Sequence, residues 1–77
     1  MLLTVEMKTS QDRSVAEVAV CFDEKGLELL IEKLSYLRGK RDHVHLMTPA
    51  WAGNELTDSK QGGGDYEIVN HLRLVKL

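Results

Sequence analysis

The sequence is poor in the features that mark several large classes of protein. It has one cysteine, Cys21, so no internal disulfide can form, which suits a reducing cytosol. It has no basic block, and its formal net charge is −2; the electrostatic footprint of a nucleic-acid binder is missing. Its apolar runs, such as Leu29–Leu30–Ile31, fall far short of the roughly 20 residues that cross a bilayer. The opening Met1-Leu2-Leu3-Thr4 has no basic n-region, apolar h-region or small-residue cleavage site. The expectation is a cytoplasmic protein that binds neither nucleic acid nor membrane.

Chemistry is equally sparse. Gly62-Gly63-Gly64 lacks the preceding strand, following helix and Lys-Ser/Thr ending of a phosphate-cradling loop, and reads as a spacer. Cys21 as a nucleophile would need a depressed pKa and a neighbouring base, and no Ser-His-Asp or paired-carboxylate spacing stands out. No enzymatic activity and no cofactor are expected.

What is present is the composition of a globular domain, 43 % apolar and 29 % charged over 77 residues, enough for one core and one domain spanning 1–77. From Leu2 to Lys8, Leu3, Val5 and Met7 alternate with Thr4, Glu6 and Lys8, the period of a half-buried strand. A polar turn over 9–14 leads to a β-branched second strand, Val15 to Phe22, that should bury Val18, Val20 and Phe22. Asp23 is placed as an N-cap, and Gly39 as a stop, for a helix from about Glu24 to Arg38. Leu27, Leu30, Ile31, Leu34 and Leu37 form its core stripe. Alternation in His43–Met47 and in Tyr66–Leu77 predicts strands three and four. The expected fold is α+β, ββαββ, with one amphipathic helix packed on an antiparallel or mixed four-stranded sheet; a β-grasp is the alternative arrangement.

Surfaces carry more information than motifs. Residues 48–65 form a connection longer than most in a compact domain, and such loops are usually functional or disordered. Trp51 within it is either a binding anchor or a lid folded back on the core. On the helix, Glu24, Glu28 and Glu32 make an acidic ridge, while Leu29 and Tyr36, seven apart, share a face almost opposite the core stripe. His43 and His45 share one strand face and His71 is available to lie opposite them. Three histidines are a known zinc set, but a solvated sheet face explains them more simply, and no metal is assigned. A semi-apolar outer sheet face of Val15, Ala19, Cys21 and Met47 leaves a homodimeric structural or regulatory module open as a second reading, and a small histidine-based metal-binding protein as a third.

The segment His43-Val-His-Leu-Met-Thr-Pro-Ala-Trp-Ala-Gly-Asn-Glu-Leu-Thr57, followed by Asn70-His-Leu-Arg-Leu-Val75, resembles the Immunity protein 32 family of bacterial polymorphic-toxin systems. The similarity extends from about Val15 onward; Ala52 departs from it, because a glycine is expected beside Gly53. The resemblance implies a protein that neutralises a cognate bacterial toxin, often a nuclease in such systems, by direct contact. The candidate contact residues are His43, His45, Trp51, Asn54 and Glu55, with Glu28, Leu29, Glu32 and Tyr36 on the helix.

Overall fold

The computed structural model describes residues 1–77. Its elements are β1 (Leu3–Thr9), β2 (Val15–Phe22), α1 (Glu24–Tyr36), β3 (Asp42–Met47), a 3-10 turn (Pro49–Trp51), β4 (Tyr66–Ile68) and β5 (His71–Lys76). The α+β class is as expected, but there are five strands in two antiparallel sheets, one ordered β2-β1-β4 and the other β3-β5. The tail that reads as one strand changes sheet at Val69 and Asn70. Val69 N–H still donates to the Val5 carbonyl of β1, whereas the Asn70 carbonyl already accepts from Thr48 N–H beyond β3. A β-grasp would set its last strand parallel to its first; here β5 pairs antiparallel with β3.

Between the sheets lies a core of Leu3, Val5, Leu46 and Leu56, against which Leu29, Leu30, Val44, Val69, Leu72 and Leu74 pack. Leu56 comes from the long connection, so the first half of that segment is a core element rather than a free loop. Its continuation covers the outer face of β1. Thr57 accepts from Leu3 N–H through its hydroxyl and donates its own N–H to the Leu3 carbonyl. Further along, the Glu6 carboxylate accepts from Gln61 N–H at 2.9 Å, Gly62 N–H at 2.8 Å and the Thr4 hydroxyl at 2.6 Å. Thr4 and Glu6, which alternation places on a solvated face, are therefore fully buried. Burial pushes the Glu6 carboxyl up, but the donors from Thr4, Gln61, Gly62 and Cys21 outweigh it and hold it below the ordinary glutamate value.

Asp23 caps α1 as predicted, accepting from Gly26 N–H at 2.8 Å. Gly26 is buried at a close approach, since a Cβ there would overlap the Leu2 carbonyl oxygen. The helix ends at Tyr36, two residues early, and Gly39 turns the chain away at φ 70. Its roll differs from the expected one. At 3.6 residues per turn, Leu29 and Ile31 mark the edges of an apolar arc about 200° wide, more than the sheets cover. The buried side is centred on Gly26, Leu30 and Leu37, so Leu29 turns inward onto the core while Ile31 (47 % exposed) and Leu34 (54 %) face outward. Val18, Val20 and Phe22 are likewise exposed, in contrast to expectation, because β2 is an edge strand and the core is centred on Leu3 and Val5 of its neighbour β1.

Candidate functional site

The inner residues of the β3-β5 sheet, Val44, Leu46, Leu72 and Leu74, point to the core. Strand alternation then forces His43, His45, Met47, His71 and Arg73 onto its outer face. Register sets Met47 opposite His71 and His45 opposite Arg73, so His45 and His71 meet on a diagonal. Their rings come together with His45 Nδ1 and His71 Nε2 at 2.6 Å, one donating and the other accepting. The His43 ring stands edge-on to His45 at 4.9 Å between centroids, and Trp51 lies 6.0 Å from His71 on the other side. The result is a row of four rings, His43, His45, His71 and Trp51, along one surface.

The turn that presents Trp51 is held rigidly from below. Trp51 and Gly53 both donate backbone N–H groups to the Thr48 carbonyl, and Thr48 Oγ1 pairs with Asn70 Oδ1 at 2.7 Å. Gly53 presses against Met47, where a Cβ would overlap the Met47 carbonyl oxygen. Ala52 occupies the left-handed region at φ 63, a conformation that favours glycine. Glu55 accepts from Met47 N–H and Asn54 N–H, each at 3.2 Å. Burial raises the Glu55 carboxyl, but these backbone donors and the charge of Lys33 outweigh it and hold it below its ordinary value. Trp51 itself is 56 % exposed, which excludes the lid on the core.

Of the other candidates, Asn54, Glu28, Glu32 and Tyr36 are exposed, and Glu55 is half-buried as a brace of the turn. Leu29 is corrected from an outward to an inward position by the roll of the helix. Tyr36 is fixed by its hydroxyl on Asp42 at 3.4 Å and by Lys40 Nζ, 3.5 Å from its ring centroid. Glu32, Lys33, Tyr36, His43 and Val44 together line an open depression of about 230 Å³. The helix face and the ring row therefore adjoin at His43, forming one surface rather than two. His71, whose spacing suggests only a metal ligand, joins this surface through the β3-β5 register, which spacing does not reveal.

Desolvation, reinforced by the charges of His43, His71 and Arg73, lowers the His45 pKa below the ordinary histidine value, so this ring is neutral at pH 7. No group of three or more His, Cys, Asp or Glu side chains is arranged to hold a metal ion. Cys21 belongs to the other sheet, beside Glu6. No helix is long and apolar enough to cross a membrane. Comparison with protein families, with curated proteins and with solved structures found no match.

Proposed function

We propose that this chain is a cytoplasmic immunity protein that binds a cognate bacterial toxin and neutralises it by covering the toxin's active site or a neighbouring surface. The observation that carries the reading is Trp51, held out at 56 % exposure on a braced turn at one end of the ring row. A large amphipathic side chain on a preorganised support loses little entropy on docking, which is how aromatic anchors become interface hot spots. The row supplies further aromatic area, and Glu32 and Glu28 on the adjoining helix face supply carboxylates for basic groups of a toxin such as a nuclease. The resemblance of the 43–57 segment to Immunity protein 32 points the same way. Co-expression with the toxin encoded beside this gene tests it: survival should require this chain and fail for Trp51→Ala. Equal killing with and without the protein ends the proposal.

A homodimer is the second reading, favoured by a specific observation. Register places Val15, Val18, Val20 and Phe22 on one face of the free-edged strand β2, and all four are exposed. An uncovered, apolar edge strand is a template for pairing with a second copy. Light scattering across a dilution series tests this, and a Val18→Lys variant should shift any dimer to monomer; a monomer at every concentration removes the reading.

A further inference from the structure

We propose that His45 and His71 form a two-point chelate for a divalent transition-metal ion of the nickel, copper or zinc class, bound through His45 Nδ1 and His71 Nε2. Two ring nitrogens each about 2.0–2.1 Å from one cation, at a right angle, stand about 2.9 Å apart. The observed separation is 2.6 Å with the ring centroids 4.8 Å apart, so the two nitrogens face each other nearly in line, and both rings swing by roughly 45° to bring their lone pairs onto one cation. Neither strand has to move, because both side chains project from a paired, antiparallel two-stranded frame. Imidazole suits these cations, and the Irving–Williams order makes Cu²⁺ the strongest of them. Only two protein ligands converge, so water completes the coordination and the site stays open to solvent.

The proton inventory is simple. In the metal-free pair one ring carries the bridging proton. On binding, solvent moves that proton to the outer nitrogen of the same ring, His45 Nε2 or His71 Nδ1, and each neutral imidazole donates one lone pair to the cation. Nothing is oxidised or reduced. Acid competes for the same lone pairs, so binding weakens as pH falls. The charged and titratable groups around the pair are His43 and Arg73, with Asp42 beside His43; on the Trp51 side the turn presents the indole, and Glu55 braces it on Met47 N–H, opposite His71.

Trp51 is the single tryptophan and lies 6.0 Å from the His71 ring, which makes it a built-in reporter. The test is a titration of the full chain with Ni²⁺ at mildly alkaline pH, read by calorimetry and by Trp51 fluorescence, in a Cys21→Ser background to remove the free thiol. The expected result is one saturable site with quenching reversed by a chelator. Losing even an outer-shell partner of a metal ligand costs about 10–100-fold in affinity, so His45→Ala and His71→Ala should each weaken binding by at least about tenfold, with far-ultraviolet circular dichroism unchanged. His43→Ala should retain the site. The proposal is overturned by no saturation up to millimolar Ni²⁺. It is equally overturned by unaltered binding in both variants, which would place the cation elsewhere, or by an equal loss in His43→Ala.

Discussion

Replacing Glu6 with glutamine isolates the fully buried charged group on which the long connection closes. The carboxylate presents only acceptors to its donors: Thr4 Oγ1 and Gln61 N–H meet Oε2, and Gly62 N–H meets Oε1, with the Cys21 thiol alongside. An amide of the same shape keeps one oxygen for the first two donors but turns an NH₂ group toward Gly62 N–H. The substitution loses a charge-assisted bond, which contributes about 1.5–3 kcal/mol, and leaves a buried donor unsatisfied at a further cost of about 1–3 kcal/mol. Partial relaxation makes about 3 kcal/mol the expected total, or about a hundredfold in an equilibrium constant. Urea unfolding measures the global part. Trypsin cleavage after Lys60, one residue before the first pinned amide, measures the local part, because proteolysis follows the open population when reclosing is fast. Cleavage should accelerate up to about a hundredfold. The pH profile adds a second signature. The folded carboxyl titrates below its ordinary value of 4.5, so its contribution is complete above that pH and fades as pH falls through the folded pKa. Glu6→Gln should lack that acid-dependent component. Parent-like stability together with parent-like cleavage at Lys60 would refute the argument.

Ala52→Gly should stabilise the protein by about 0.5–1 kcal/mol, because a left-handed conformation costs an L-residue about 1–2 kcal/mol and the added freedom of glycine in the unfolded chain offsets part of the gain; thermal melting should show a higher Tm. Gly26→Ala should destabilise by more than about 1 kcal/mol despite alanine's better helix propensity, since the Leu2 carbonyl occupies the space of the new methyl. A small or opposite change in the urea midpoint would disprove the close approach. Trp51→Ala should leave stability within about 0.5 kcal/mol of the parent, as for other exposed positions, while abolishing toxin protection; a large loss of stability would mean that the indole is structural.

Local rules were readable where they depend on near neighbours. The Asp23 cap, the alternation of β1 and β3 and the shared face of His43 and His45 all follow from spacings of a few residues. Three features depend on distant partners and were not. Glu6 reads as a solvated strand residue because its donors lie 55 and 56 positions away. The helix carries an apolar arc too broad to specify its own roll, so Leu29 and Ile31 exchange their expected environments. The break at Val69 and Asn70 carries a single turn-favouring residue, Asn70, without Gly or Pro; what fixes the break is Thr48 and Val5 claiming those backbone groups. The ring row combines both cases: His43 and His45 were legible as a pair, whereas His71 joined them only through register.

The position of β1 has a consequence for how the chain is made. Of the strands of this fold it is made first and is the middle strand of its sheet, yet its partner β4 lies about sixty positions later, with Glu6 facing Ile68. At ribosomal speeds of about 5–20 residues per second, β1 and β2 wait seconds as an incomplete hairpin, with Leu3 and Val5, buried in the finished fold, still uncovered. Such a dependence on distant pairing slows folding and exposes nascent chains to aggregation. The strand made first among these is therefore completed last, since its pairing with β4 waits until residues 66–68 have left the ribosome.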